Sequence, residues 1–363
     1  MAKYLEKWAP PGAAWDKDNV GLQVGSKNAK LKNIMLCLEL NNEVLQEAIN
    51  KKCNFIFTHH PLIFLPLKKI NIQDDPTSKL IESIIINNIT VYSAHTNLDF
   101  TKDGVSFALA KKLKLKNIDF LENQEANQFK VAVFVPLDKA EEVAYAAFNA
   151  GAGTIGEYDN CSFRSKGIGT FKGSAKSNPT IGKKNTYEKV DELKLEFIVD
   201  SWNLNAVISA VLNAHPYEEP AYDVYLLKNK NVNYGMGAIG QLEKELTVDE
   251  FLDYVAINLK LKSFRYCSNK NKKIKKVAVC GGSGSDLLAA AINAQADSFI
   301  TADIKYHVFQ KAEGKILLID AGHYETEIFS LDAVKKKIES FLGNNKSISV
   351  FKFSGTTNPI KYY

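Results

Sequence analysis

Two stretches decide the fold: KNIMLCLELNNEVLQEAINKKCNFIFTHH at residues 32–60, and KKVAVCGGSGSDLLAAAINAQADSFITAD at residues 275–303. Each has the pattern of an apolar strand, a helix and a second apolar strand. When the first is shifted by 243 positions without a gap, seven of twenty-nine residues coincide, among them Cys37 with Cys280 and Thr58 with Thr301. Because the three elements coincide as well, the sequence predicts a repeated βαβ unit.

A second pair of motifs follows in the same order. ITVYSAHTNLD ends at residue 99 and ILLIDAGHYETE ends at residue 327, and each is an apolar strand pattern followed by His-x-x-x-acid. Positions i and i+4 share one face of a helical turn. His95 with Asp99, and His323 with Glu327, can therefore reach a common point. The segment before this motif is fifteen residues longer in the first copy.

Between the copies lies a different pattern. Residues 127–228 contain FKVAVFVP, SFRSKGIGTFK, LKLEFIVD and AYDVYLL as strands, with one helix after the first and another after the third. This βαβ-βαβ order is typical of a ferredoxin-like unit. We therefore predict an α/β protein: residues 1–126 and 229–363 form a pseudo-twofold repeated α/β body, and residues 127–228 form an inserted α+β domain.

Composition narrows the functional class. The chain has 363 residues, of which 45% are apolar and 24% charged, as expected for a soluble globular protein of two or three domains. The net charge of +5 is mild, so nucleic-acid binding is not expected, and the basic run NKNKKIKK at 269–276 is interpreted as a solvated loop before a strand. Five cysteines without a CxxC pair and the lack of a membrane-length apolar run favour a cytoplasmic protein.

Ligand-type residues follow three predicted strands. They are His59 and His60, His95 and Asp99, and His323 and Glu327. Sites in α/β sheets gather at the carboxyl ends of strands, and imidazole with carboxylate suits zinc, iron or manganese. A single histidine at a strand end is more often structural, but three such clusters favour metal binding. Two adjacent histidines fit a site shared by two ions, with Glu327 or Asp99 as a bridge.

Three other features have weaker signals. GGSGSD at 281–286 follows a strand, so it is either a phosphate-binding loop or a plain tight turn. His307 in TADIKYHVF either lines the site or packs in a helix. His215 in NAHPYEEPAYDVY is interpreted as part of a helix end and turn.

The motifs THHPLIF, AHTNLDF, TADIKYH and GHYETE, with the opening WDKDNVGLQVG, closely resemble the NGG-one-interacting-factor-three-like family, whose members are often labelled GTP cyclohydrolase I type 2 homologs. The match covers 1–126 and 229–363, and the middle resembles the PII- or CutA-like insert of the longer members. The resemblance implies a hexameric ring and a dinuclear metal site. Its implied ligands are His59, His60, Asp99, His323 and a bridging Glu327, with His95 beside the metals.

The sequence departs from the family pattern at three places. Glu39 stands where the family has Asp, an extra Lys-Asp lies between Trp15 and Asn19, and Ile360 replaces a Phe. None of these is an implied ligand.

Two functions follow from these observations. The first is a hydrolase with two divalent metal ions per chain, acting on a nucleotide-like or phosphoester substrate, with His95 or His307 moving the proton. The alternative is a metal-binding regulatory or metal-delivery protein without turnover, which the insert favours. The identity of the metal stays open among zinc, iron and manganese.

Overall fold

The computed structural model describes residues 1–125, 127–268, 273–343, 345 and 347–361. Residues 269–272 of the basic run, predicted as a solvated loop, lie outside the described residues. Residues 274–276 of the same run begin a strand (Ile274–Ser283), so the predicted loop is wrong for these residues, whose backbone pairs with a neighbouring strand. The chain divides into two compact units, one of Met1–Asn123 with Tyr234–Tyr363 and the other of Gln124–Asn233. The second unit begins and ends a few residues outside the predicted 127–228. No helix among the described residues is long and apolar enough to span a membrane.

The first half of the body is built on a five-stranded sheet. Its strands, in spatial order, are β1 (Gly21–Val24), β4 (Thr90–Ser93), β3 (Cys53–Thr58), β2 (Asn33–Cys37) and β17 (Val350–Lys352). All pairs are parallel except that of β1 with β4. The helices of this half are α1 (Ala2–Trp8), α2 (Asn42–Asn50), α3 (Pro76–Ile86), α4 (Thr96–Asp99) and α5 (Val105–Lys112).

The second half is built on a six-stranded sheet. Its strands, in spatial order, are β13 (Arg265–Cys267), β16 (Leu317–Asp320), β15 (Ser298–Ala302), β14 (Ile274–Ser283), β12 (Ala238–Leu246) and β5 (Lys116–Asp119). The helices are α8 (Val248–Leu259), α9 (Leu288–Asn293), α10 (Tyr306–Ala312), α11 (His323–Glu327) and α12 (Ser330–Leu342). The middle strands β14, β15 and β16 are parallel.

Strand register confirms the predicted repeat. Leu36 pairs with Phe57 between β2 and β3, and Val279 pairs with Ile300 between β14 and β15, which is the same pairing displaced by 243 residues. The central strands of both sheets are buried on both faces, because helices cover each side. Helix α5 supplies Val105 to the core of the first half and Leu109 to that of the second. The carboxyl ends of β3, β4 and β16 each lead directly into predicted ligands.

The inserted unit is a four-stranded antiparallel sheet with two helices. Its elements, in chain order, are β7 (Gln128–Pro136), α6 (Ala140–Asn149), β8 (Phe163–Lys172), β9 (Tyr187–Asp200), α7 (Leu204–Ala214) and β10 (Tyr222–Leu227). The spatial order β10-β7-β9-β8 and the βαββαβ sequence follow the ferredoxin-like pattern. Alternate residues Val131, Val133 and Val135 of β7 face the helices, because side chains alternate along a strand. Strands β6 (Glu122–Glu125) and β11 (Lys230–Met236) form a separate two-stranded sheet.

Candidate metal centre

His59 is fixed at the end of β3. The amide of His59 donates to the Leu38 carbonyl (3.1 Å), and the hydroxyls of Thr58 and Ser93 lie 2.6 Å apart, so the ends of β3 and β4 are held together. The His59 side chain has no exposed surface. Its Nδ1 lies 2.8 Å from the Ala94 carbonyl, to which it donates. Nε2 is therefore left as a buried acceptor without a hydrogen-bond partner.

His60 lies between two carboxylates. Its Nδ1 is 3.0 Å from Glu39 Oε1, and its Nε2 is 3.2 Å from Glu327 Oε2. Burial opposes protonation of His60, but hydrogen bonds with Glu327 and Glu39 outweigh it and raise the pKa of His60 to about 10. Glu39 also accepts a hydrogen bond from the Thr357 hydroxyl. The residue at which the sequence departs from the family's aspartate therefore orients a predicted ligand.

His95 directly precedes the short helix α4 as its N-cap residue, and the opening segment of the chain holds both in place. Asp18 accepts the Thr96 amide (3.1 Å) and lies 3.0 Å from His95 Nδ1. Burial alone would raise the pKa of Asp18, but hydrogen bonds from His95 and Thr96 lower it to about 2. The ring centroid of His95 lies 5.4 Å from that of His59 and 5.3 Å from that of His60. His95 thus belongs to the same cluster.

Asp99 lies at the other end of α4. Its Oδ1 is 3.6 Å from His59 Nε2 and has no hydrogen-bond partner among the described residues. Burial raises the pKa of Asp99 to about 6 despite the nearby His59. A buried carboxylate oxygen facing an equally unpartnered imidazole nitrogen is an arrangement that a cation would satisfy.

His323 and Glu327 meet across one turn of α11, as the spacing predicts. His323 Nε2 lies 3.0 Å from Glu327 Oε1, and His323 Nδ1 lies 2.6 Å from Asp303 Oδ2. The hydrogen bond with Glu327 is the largest influence on His323, and together with Asp303 it raises the pKa of His323 to about 9. The Gly282 amide donates to Thr326 Oγ1 (3.0 Å), which ties α11 to the end of β14.

Glu327 is the centre of the cluster. Its side chain is 3% exposed, and its oxygens lie 3.6 Å from His59 Nε2, 3.2 Å from His60 Nε2 and 3.0 Å from His323 Nε2. Burial opposes ionisation, but the surrounding imidazoles hold the pKa of Glu327 well below its ordinary value. Gly282, at φ +63°, makes room for it, since a Cβ there would lie 2.3 Å from Glu327 Oε1.

One pattern unites the four histidines. Each Nδ1 faces an oxygen acceptor, which is a carbonyl for His59 and a carboxylate for His60, His95 and His323. In the neutral ring with the proton on Nδ1, the opposite nitrogen carries a lone pair, and the Nε2 atoms of His60 and His323 are only 3.3 Å apart. Two lone pairs at this distance repel unless a proton or a metal ion lies between or beside them. Metal-binding histidines typically have this kind of outer oxygen partner.

Two groups of side chains could each hold an ion. They are His59 with His60 and His95, and His60 with His323 and Glu327, and within each group the ligand atoms lie within 4.8 Å of one another. The residues thus fit a divalent cation in donor type, burial and orientation.

The structure brings six predicted residues together and leaves others apart. His307 is exposed on α10, where its Nδ1 faces Gln310 Oε1 at 3.1 Å, and it is not part of either group. His215 lies in the inserted unit, and its Nε2 donates to the Phe134 carbonyl (2.9 Å). In GGSGSD, the amides of Gly282 and Gly284 donate to threonine hydroxyls. That motif is therefore the tight turn rather than a phosphate loop.

Sequence reasoning missed the outer carboxylates of the site: Asp18, Glu39 and Asp303. Asp303 occupies the position of His60 in the second copy, since 60 and 303 differ by the repeat offset of 243. Glu39 and Asp18 fall at the departures from the family pattern. The signals were present in the sequence, but their chemical role depends on contacts between segments far apart in the chain.

This chain is similar to known proteins over nearly its whole length. The family model Duf34/NIF3 (NGG1p interacting factor 3) matches residues 1–359. Proteins named GTP cyclohydrolase 1 type 2 homolog from Halalkalibacterium halodurans and Bacillus subtilis are each 38% identical, over 100% of this chain and 98% and 97% of theirs. The crystal structure of a Bacillus cereus protein related to NIF3 is 36% identical with a TM-score of 0.81, covering 99% of this chain and 97% of that one. This chain belongs to the Duf34/NIF3 family.

Proposed function

We propose that this Duf34/NIF3 chain binds two divalent metal ions and uses them to hydrolyse a nucleotide-like or phosphoester substrate. The observation that carries the proposal is the inward convergence of imidazole nitrogens on the buried carboxylate of Glu327. Such a cluster is unfavourable without added positive charge, because lone pairs and carboxylates face one another in a buried space.

The ligands in this proposal are His59, His60, Asp99, His323 and Glu327. Glu327 would be shared by the two ions, since its Oε1 faces His59 and His323 while its Oε2 faces His60. Asp99 joins His59 on the other side, where its Oδ1 is unpartnered. Glu39 and Asp303 orient the rings of His60 and His323.

When bound, divalent ions acidify water and polarise the bond to be broken. His95 is placed to move the proton. Asp18 accepts from its Nδ1, so Nε2 can take a proton from the attacking water and give it to the leaving group. The His95 side chain is 22% exposed and lies beside the exposed ring of Phe64, with centroids 6.4 Å apart. His60 and His323 are also partly exposed, and a substrate would approach the cluster past these rings.

The substrate class rests on the names of the relatives. Opening a purine ring and cleaving a phosphoester both add water at a centre that metal ions can activate. The test is a screen of nucleotides and phosphoesters with the metal-loaded protein, beside His323→Ala. Turnover in the wild type that His323→Ala abolishes supports the proposal, whereas full turnover in His323→Ala would refute it.

A metal-regulatory or metal-delivery role is the second candidate. It is favoured by the inserted unit, which has a cavity of its own of about 780 Å³. This role predicts rapid metal transfer to a mild chelator without any turnover. Metal that resists the chelator would exclude it.

Two further features belong to the proposal. All five cysteines are free thiols, in keeping with a reducing cytoplasmic environment. Assembly into a hexameric ring and kinship of the inserted unit with PII or CutA remain predictions from the family resemblance.

A further inference from the structure

The inserted unit contains a cavity that the metal centre does not use. It has a volume of about 780 Å³ and is bounded by β8, the chain that follows it and the turn after His215. Its walls include Phe134, Ile168, Phe171 and Ile181. The rest of the wall is largely polar and includes Glu218 and Glu219, so apolar and polar surfaces face one another across the cavity. A volume of this size is typical of small-molecule sites.

A buried carboxylate lies in this cavity. Glu192 is 8% exposed, although it lines open space. It pairs across the sheet with Gly167, and its carboxylate lies over Gly169, where a Cβ would be 2.1 Å from Oε2. Gly169 of β8 therefore leaves room for the carboxylate to lie against the backbone.

The charge of Glu192 has no counter-ion in the part of the chain that the structure describes. Among the described residues, no lysine, arginine or histidine nitrogen lies within ion-pair distance of it. Lys172 and Lys176 also line the cavity, but both are exposed, so solvent screens their charge. A buried, unpaired carboxylate is costly, and a cation that enters the cavity offsets this cost.

Tyr217 supplies a second polar atom. Its hydroxyl is shielded from solvent and has no hydrogen-bond partner of adequate geometry among the described residues. Burial and the neighbouring Glu192 carboxylate raise the pKa of Tyr217, so the hydroxyl keeps its proton. A phenol oxygen can accept a hydrogen bond from a ligand, and the aromatic rings favour a positive charge near their faces.

We propose that this cavity binds a small organic cation, an amine or amidine carried on an apolar body. The cationic nitrogen donates to Glu192 and to the Tyr217 oxygen, and the apolar body packs on Phe134 and Phe171. The aromatic and aliphatic part of the wall favours an organic cation over an inorganic one, although Glu218, Glu219 and several hydroxyl groups also line the cavity. The proposal does not depend on the metal centre.

The experiment uses the full chain and benzamidine, a planar amidinium on an aromatic ring, titrated by calorimetry. Benzoate has a similar shape and the opposite charge. We expect benzamidine to bind at least about tenfold more tightly than benzoate, and Glu192→Gln to lose about tenfold in benzamidine affinity. The matched control is Glu196→Gln, since Glu196 lies on the same strand but pairs with Lys194 and does not line the cavity.

Tyr217→Phe is the second variant, because it removes only the hydroxyl, and we expect it to weaken benzamidine binding by a few fold. Equal affinity for benzoate, unchanged affinity in Glu192→Gln, or no binding of benzamidine would each overturn the proposal. A change of molecular mass in Glu192→Gln by light scattering, without benzamidine binding in the wild type, would instead assign the cavity to contact with a second copy.

Discussion

The two halves of the body share one scaffold but deliver different side chains. In both halves, residues that follow the second strand of the βαβ unit (β3 or β15) lie at the cluster. Residues that follow the next strand of the sheet (β4 or β16) lie there as well. The first half supplies three imidazoles, His59, His60 and His95, whereas the second supplies His323 alone. In the second half, Asp303 stands in the position of His60, and it orients His323.

The halves also differ at the equivalent positions 39 and 282, which contact the predicted ligands. Glu39 of the first half holds His60, and the residue 243 positions later is Gly282, which leaves space for Glu327. Thr58 pairs with Ser93 and the equivalent Thr301 pairs with Asp320, so Ser93 and Asp320 are equivalent positions. One residue separates Ser93 from His95, whereas two residues, including Gly322, separate Asp320 from His323. Duplication thus explains the framework, and local divergence places the imidazoles of the first half around a carboxylate of the second. Single substitutions can test this division of roles between the two halves.

The largest effect is expected for Glu327→Gln. The amide keeps the shape but loses the charge that faces three imidazoles, so we expect metal affinity to fall by at least about 100-fold, more than the ~10–100-fold typical of outer partners. Metal content by mass spectrometry measures this. Asp99→Asn, which faces only His59, should lose less. Equal losses in both variants would contradict a central role for Glu327.

Gly282→Ala tests the space beneath Glu327. The added Cβ meets Glu327 Oε1, and alanine at positive φ costs about 1–2 kcal/mol besides. We expect a total loss of about 3 kcal/mol in the free energy of unfolding and a reduced metal content, although glycine offers no ligand. Gly314→Ala is the control, since it has φ +73° with nothing within 4 Å. Matching melting temperatures and metal contents in the two variants would refute this explanation.

Asp303→Asn and Glu39→Gln compare the two outer carboxylates. Each should weaken metal binding by about 10–100-fold, because His323 or His60 loses an ionised acceptor. Competition with a chromophoric chelator gives the affinities. Lys111 pairs with Asp103 on the surface, so Asp103→Asn is a suitable control. Affinities in the Asp303 and Glu39 variants that equal that of Asp103→Asn would show that the scaffold alone orients the rings.

The smallest expected effect is the pH-dependent contribution of His215 to stability. Both ring nitrogens of His215 form hydrogen bonds with backbone groups. Its Nε2 donates to Phe134 and its Nδ1 accepts from the Tyr217 amide, so the folded protein favours the neutral ring. Burial lowers the pKa of His215 below its ordinary 6.5. As the pH falls below about 6.5, the unfolded chain takes up the proton first, so stability declines until the folded pKa is passed.

Denaturant unfolding of the wild type and His215→Gln at pH 7.5 and pH 5 measures this contribution. The difference between the two proteins should shrink at the lower pH, because glutamine keeps the hydrogen bonds without titrating. A difference in the free energy of unfolding that is the same at both pH values would contradict a titrating contribution from His215. Metal content should be the same in the wild type and His215→Gln, whereas replacing a histidine of the cluster should lower it.

Much of the fold follows from the sequence because its signals are local. The βαβ repeat and the six elements of the insert are visible as hydrophobic periodicity, and the i, i+4 pairing of His323 with Glu327 needs only one helical turn. The outer carboxylates could not be assigned in this way. Asp18 reaches His95 across 77 positions, and the role of Gly282 depends on a side chain 45 residues away. His307 had the right residue type but lies on an exposed helix face.

The most direct test is the number of metal ions bound per chain. Protein purified without chelator and equilibrated separately with zinc, manganese and ferrous iron should bind about two ions of at least one metal, and Glu327→Gln should lose both. One ion or none with every metal would contradict a dinuclear centre.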